Sequence, residues 1–228
     1  MLPIVTPDEM RAVDAAATEA SDVLIGRAGA AVARAAVRMM GGTYGRTVHV
    51  IAGKGNNGAD GRVAAGLLAA RGVRVLVHDA ADCPRALRPA HLVIDAAYGT
   101  GFRGTWNPPD VGATPVLAVD IPSGVNALTG EAVGNVLTAT RTVTFAALKP
   151  GLLLTPGSEL AGDVELVDIG LGVGVDEHCR AWLVEPSDVA AWVPPRQVDA
   201  HKWRAAVRVV AGSPGMTGAA QLVAHGAM

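Results

Sequence analysis

The side chains in this chain that could do chemistry fall into short clusters, most of them at the end of an apolar run. Asn56, Asn57 and Asp60 set two amides and a carboxylate among the glycines of Gly53-Lys54-Gly55-Asn56-Asn57-Gly58-Ala59-Asp60-Gly61. Asp95 closes the run His91-Leu92-Val93-Ile94 and is followed by Tyr98-Gly99-Thr100-Gly101-Phe102-Arg103-Gly104. Asp120 and Ser123 stand in Asp120-Ile121-Pro122-Ser123-Gly124, after another apolar run. Lys149 adds a cation in Lys149-Pro150-Gly151. Backbone N–H groups at a strand-to-helix turn suit an anion such as phosphate, and a carboxylate at a strand end can exchange a proton. Each residue alone has a plainer reading. A lone Asp is more often a cap or turn residue, a lysine before Pro-Gly is often simply solvated, and a glycine-rich turn is often only a turn.

These clusters need elements to position them. Val48-His49-Val50-Ile51-Ala52 reads as a strand that stops at the first glycine-rich turn, and Arg62 to Arg71 reads as a helix stopped by Gly72. Gly53, Gly55 and Gly58 satisfy the dinucleotide pattern G-x-G-x-x-G, a weak signal by itself. Upstream, Thr6-Pro7-Asp8-Glu9 is a capping box with proline at the first helical position, opening a helix expected to reach about Glu19. A second helix follows Ser21 and Asp22 and closes at Gly41-Gly42. Further strands are expected over Val73–Val77, His91–Ile94, Pro115–Val119, Thr140–Ala146 and Asp163–Ile169. Continuous apolar strands, some separated by helix, indicate an α/β fold with a mostly parallel sheet covered on both faces. Ligands of such sheets bind beyond the carboxyl ends of the strands, so the turns at Asn57, Asp95 and Asp120 should converge on one crevice. His49 is expected on the helix-packed face of its strand, and His78, His91 and His178 as surface or edge histidines.

Composition narrows the class. The chain has 228 residues, half of them hydrophobic, with Ala and Val rather than aromatics supplying the core. A net charge of −2 gives no reason to propose nucleic acid or an anionic membrane as partner. Cys83 and Cys179 lie far apart in no metal-binding spacing, which favours a reduced, cytoplasmic chain. Neither a signal peptide nor a run long enough to span a bilayer is present. A homodimer stays open.

The three motifs, in order with Thr142-Val143-Thr144-Phe145 and Lys149-Pro150-Gly151, resemble the NAD(P)H-hydrate epimerase family over about residues 6 to 172. The resemblance implies a Rossmann-like three-layer αβα sandwich and epimerisation at C6 of NADHX and NADPHX, the hydrated forms of the reduced nicotinamide cofactors. It also implies a bound potassium ion held by Asn57, Asp95 and Ser123, whose hard oxygens suit an alkali or alkaline-earth cation rather than zinc. Substrate contacts fall by the same resemblance on Asn56, Asn57, Gly58, Ala59 and Asp60, on Gly99, Thr100, Gly101, Phe102, Arg103, Gly104 and Thr105, and on Asp120. Two features depart from the pattern. Ala59 stands where the family usually has glycine, which matters if that position needs a positive φ or a close backbone approach. The connection from Gly104 to Thr114, with Pro108-Pro109, leaves no room for a helix.

The residues suit that reaction. A hydrated nicotinamide is a hemiaminal, and inverting it requires its hydroxyl to leave and return or its C–N bond to open and reclose. Either route needs a group that gives and takes a proton: Asp120 is the first candidate and Lys149 the second. Arg103 is a candidate partner for a phosphate.

Residues 173–200 read as a connector. His201-Lys202 and Val207 to Ala220, expected as one strand and a helix start, resemble the opening of the ribokinase-like NAD(P)H-hydrate dehydratase, with Trp203 where that family usually has glycine. Residues 201–228 are too few to bury a core, so dehydratase activity is not expected from them. Two other functions stay open: an NAD-dependent oxidoreductase using Gly53, Gly55, Gly58 and Asp79, and a non-catalytic module on the same fold.

Overall fold

The structure is a computed structural model of the chain and describes residues 1–132, 134–193, 195, 198 and 207–227. It divides into two compact units, Met1–Val184 and Glu185–Met228. In chain order the first unit runs β1 (Leu2–Ile4), α1 (Pro7–Ala15), α2 (Ser21–Met40), β2 (Thr47–Ala52), α3 (Asn56–Ala69), β3 (Arg74–Asp79), β4 (Leu92–Ala96), β5 (Val116–Val119), β6 (Arg141–Phe145), α4 (Gly157–Ala161), β7 (Asp163–Val167), α5 (Gly172–His178) and β8 (Ala181–Leu183).

Six strands form one sheet in the order β3-β2-β4-β5-β6-β7, and all its pairings are parallel. Alternation divides each strand between two cores. Val48, Val50, Ala52, Leu92, Ile94, Ala96, Leu117, Val119, Val143 and Phe145 pack with Ala28, Ala31, Val32 and Ala35 of α2 and Ala64 and Leu68 of α3. The small residues of these helices let them lie close to the sheet. Ile51, Val93, Val116 and Ala118 face the other way, against Ala80, Trp106, Leu137 and Ala139 of the connecting segments. The connection from Gly104 to Thr114 forms no helix, as expected, and it supplies the buried Trp106 to this second core.

The capping box is formed: the Thr6 N–H donates to Glu9 Oε2 at 2.7 Å and the Glu9 N–H to Thr6 Oγ1 at 3.2 Å. The helix it opens ends at Ala15 rather than near Glu19. Glu19 instead turns back to accept from Arg27 Nη2 at 2.9 Å. Gly41 ends α2 in the left-handed conformation. Residues 173–184, read from sequence as part of a connector, lie within the first unit, because α5 packs near α1 and β8 pairs antiparallel with β1. The second unit holds α6 (Pro186–Trp192) and α7 (Gly218–Gly226), and none of its described residues is buried. Val207 to Ala211 forms no strand; among the described residues of this unit there is no strand for such an apolar run to pair with. His201, Lys202 and Trp203 lie outside the described residues.

Most consequential for the site is where α3 begins. The stretch expected as a turn up to Gly61 is already helical from Asn56. Gly53 and Gly58 are there for packing: a Cβ on Gly53 would stand 1.9 Å from the Ala97 carbonyl oxygen, and one on Gly58 would stand 1.9 Å from the Gly53 carbonyl oxygen. Gly55 meets nothing within 4 Å. Gly53→Ala should therefore destabilise the protein by about 1–3 kcal/mol in a denaturant titration, since the obstacle is backbone. Gly55→Ala should change stability by less than about 0.5 kcal/mol.

Candidate active site

The chain leaves β2 on one side to form β3 and returns on the other to form β4, so the order reverses beside β2. That is where a parallel sheet leaves a crevice at its carboxyl edge. A cleft of about 750 Å³ lies here, lined by the start of α3, the turn after β4, the ends of β5 and β6, and α1 and α2.

At its floor is an ion pair. Lys149 is 2% exposed, and its Nζ donates to Asp120 Oδ1 at 2.5 Å, Thr144 Oγ1 at 2.8 Å and the Phe145 carbonyl at 3.1 Å. Thr144 Oγ1 in turn donates to Asp120 Oδ1 at 3.1 Å. All three ammonium protons are thus used, which is what burying a lysine demands. Asp120 follows β5 with φ of 67°, a left-handed conformation uncommon for a residue with a side chain. The backbone around Lys149 is fixed from two sides. The Leu148 N–H donates to the Pro3 carbonyl at 2.8 Å, and the Gly151 N–H to the Ala127 carbonyl at 2.8 Å.

Asn56, Asn57 and Asp60 line the cleft from the first turn of α3. Both amide atoms of Asn57 are buried without a partner, an arrangement that calls for a ligand. Ala59 sits on the same turn and is absent from the positive-φ residues, so its methyl carries no backbone strain there. Gly99, Thr100, Gly101, Phe102 and Arg103 line the opposite side, Arg103 exposed at the mouth. A Cβ on Gly99 would stand 3.4 Å from Asn57 Cβ and 3.6 Å from Asp120 Oδ2, so this glycine lies between the Asn57 and Asp120 side chains. Gly58, Ala59, Gly104 and Thr105 are not on the cleft wall.

Behind the cleft, Asp95 is wholly buried on β4. Its Oδ1 accepts from Ser123 Oγ at 2.6 Å and the Ala97 N–H at 3.3 Å, and its Oδ2 from the Ser123 N–H at 2.9 Å. Ser123 Oγ also accepts from the Tyr98 N–H at 2.9 Å. The carboxyl is pushed up by burial, opposed by these hydrogen bonds. No cationic side chain pairs with it among the described residues.

Two more carboxyls reach the cleft. Burial pushes the Asp60 carboxyl up to about 8, and the Asp120 charge adds to the shift. Asp14, on α1, was not singled out by sequence; its carboxyl is raised by burial first, with Lys149 opposing and Asp120 adding. Its only sequence signal is position: it lies four residues after Met10, another lining residue, on the same helix face. His49 does not lie on the helix-packed face. It points to the opposite side, where its Nδ1 meets His78 Nε2 at 2.8 Å and its Nε2 meets the Arg88 carbonyl at 3.1 Å.

Residues 21–88 and 78–151 match the family described as YjeF-related protein N-terminus. The chain belongs to that family. The bifunctional NAD(P)H-hydrate repair enzyme Nnr of Moorella thermoacetica is 33% identical, aligned over 99% of this chain and 52% of its own. The NAD(P)H-hydrate epimerase of Leuconostoc mesenteroides is 35% identical, over 75% of this chain and 92% of its own. The chain spans about half the length of the bifunctional relatives it matches. A crystal structure of the yeast protein YNL200c superposes with a TM-score of 0.56 at 22% identity, covering 73% of this chain and 88% of that one, which shows a shared fold. The family resemblance read from the motifs, and the α/β fold it implied, are borne out.

The raised Asp60 carboxyl has a consequence for stability. Folded Asp60 holds its proton to about pH 8, whereas unfolded Asp60 releases it near 3.8. The folded state therefore loses stability as pH rises from about 4 to 8, and the loss is complete above that. Asp60→Asn removes this penalty. Its stability relative to the unsubstituted protein should rise across that window, by about 5–6 kcal/mol at pH 8.5, and be near its minimum at pH 4, measured by urea unfolding.

Proposed function

We propose that this chain is an isomerase that interconverts the R and S epimers at C6 of NADHX and NADPHX. The observation that carries the reading is the Asp120–Lys149 pair at the floor of a cleft at the sheet's switch point, facing the unpartnered Asn57 amide. The first turn of α3 presents free backbone N–H groups and the positive end of a 14-residue helix, which suits the pyrophosphate of a dinucleotide. Arg103, exposed at the mouth and donating Nη1 to the Phe102 carbonyl at 3.3 Å, has further donors for another phosphate. Asp120 exchanges a proton with the hydroxyl or water at C6, and Lys149 holds its carboxylate in place. The oxidoreductase reading is weaker, since Gly53 and Gly58 are accounted for by backbone packing.

The same reading assigns a potassium ion to Asn57, Asp95 and Ser123. Their donor set fits: the Asn57 amide oxygen has no partner, and the buried Asp95 carboxylate meets no cationic side chain among the described residues. When bound, the ion would supply positive charge beneath the substrate loops. No described helix is long and apolar enough to cross a membrane. Both cysteines are free, in keeping with a cytoplasmic location.

The test is to mix the purified protein with R-NADHX and follow the R to S ratio by chromatography. Equilibration well above the buffer rate is expected, faster in potassium than in sodium. Asp95→Ala should lower the rate and abolish the potassium preference. A ratio that changes no faster than in buffer sinks the epimerase reading, and equal rates in the two salts sink the ion assignment.

A further inference from the structure

Asp60 is 7% exposed and lines the cleft, yet no group among the described residues donates a hydrogen bond to it. A mostly buried carboxyl with no hydrogen-bond donor favours its neutral form, because its charge would be poorly solvated. Asp120, in the same cleft, has the opposite equipment: an ammonium and a hydroxyl donate to its Oδ1. Two carboxyls so differently equipped can divide the work of acid and base between them.

The neighbouring charged groups leave Asp60 in that state. Asp120, just past β5, adds its charge to Asp60, and Lys149, lining the same cleft, spends its protons on Asp120, Thr144 and Phe145. Asp14 and Glu19 line the cleft from α1 and the segment after it, Glu19 already bound by Arg27. On α3 itself, Arg62 donates to the Gly53 carbonyl at 2.6 Å. Arg103 stands exposed at the mouth.

We propose that Asp60 is the general acid of the epimerisation, giving its proton to the departing C6 hydroxyl, with Asp120 as the base for the returning water. This rests on the epimerase reading. As the C6–O bond breaks, its electron pair leaves with oxygen, which the Asp60 proton converts to water. The ring-nitrogen lone pair forms the C6=N bond of an iminium, and Asp60 is left as carboxylate. Water then adds to the other face of C6, the C=N pair returns to nitrogen, and the proton shed by that water passes to Asp120. Exchange with bulk water through the open cleft resets both groups, so no net proton or electron is consumed.

The experiment is the pH dependence of kcat and KM for R-NADHX epimerisation, in the unsubstituted protein and in Asp60→Asn. The unsubstituted protein should lose kcat on the alkaline side with a midpoint near 8. Asp60→Asn should lower kcat by about 10²–10⁴-fold with KM changed only a few-fold, and its residual rate should be flat from pH 7 to 9. Circular dichroism checks that the variant is folded. A kcat within tenfold of the unsubstituted protein, a loss confined to KM, or a retained alkaline limb overturns the proposal. Should the variant not fold, an unsubstituted kcat that stays level to pH 9 overturns it alone. If the unsubstituted protein does not epimerise NADHX at all, the epimerase reading falls and this role with it; if it does and Asp60→Asn is indistinguishable from it, only the role of Asp60 falls.

Discussion

A lysine ammonium that is 98% removed from solvent must have an anion, and much of the site follows from supplying it. Removing either partner of a buried pair leaves an uncompensated charge, at a cost of about 3–5 kcal/mol. The Lys149 ammonium is reached by a carboxylate, a hydroxyl and a carbonyl from the ends of two adjacent strands. To deliver the carboxylate, Asp120 adopts a left-handed backbone, and Ala146, just past β6, does the same with φ of 62°. Such strain persists only where the surroundings over-determine it, and here the Asp120 N–H also donates to the Val143 carbonyl at 2.7 Å. The short β1 strand belongs to the same device, since its Pro3 carbonyl holds the residue before Lys149.

The rest of the fold brings ligand-binding groups to that pair. Parallel pairing puts the carboxyl ends of β2, β4, β5 and β6 on one edge, and the reversal of order beside β2 opens the cleft there. Gly53 and Gly61 let α3 and the turn before it lie against Ala97 and Ala96 at the end of β4, and Gly58 lets α3 pack on the Gly53 backbone, so the helix starts at Asn56 and its first turn becomes one wall. Asp95 and Ser123, buried behind that wall, tie the end of β4 to the loop after β5. One cleft thus holds a fixed carboxylate, a carboxyl that keeps its proton, an unsatisfied amide and a helix N-terminus.

Much of this was legible in the residues. Apolar runs ending in Asp95 and Asp120 gave the strands and the edge on which their side chains meet, and Thr6 with Glu9 gave the first cap. What was misplaced depended on contacts distant in sequence. Glycines at 53, 55, 58 and 61 look like a loop until Ala97 and Ala96 are seen to need the space at Gly53 and Gly61, and the Gly53 carbonyl that at Gly58. His49 sits in a strand buried on both faces, where period-two alternation marks no solvent side, so its contact with His78 on β3 is set by sheet order alone. β1 and β8 are three residues each, and their pairing spans almost the whole first unit. Asp14 was missed because an exposed acidic residue on an amphipathic helix is ordinary until a cleft opens beside it.

The central claim is that the Asp120 carboxylate, braced by Lys149, moves a proton rather than merely holding substrate. Asp120→Asn tests it most directly, because asparagine keeps the size of the side chain and tolerates the left-handed backbone but cannot exchange a proton. The measurement is NADHX turnover at saturating substrate alongside NADHX affinity. The account predicts turnover lower by about 10²–10⁴-fold with affinity within a few-fold of the unsubstituted protein. Near-normal turnover at saturation, with the loss confined to affinity, would contradict it.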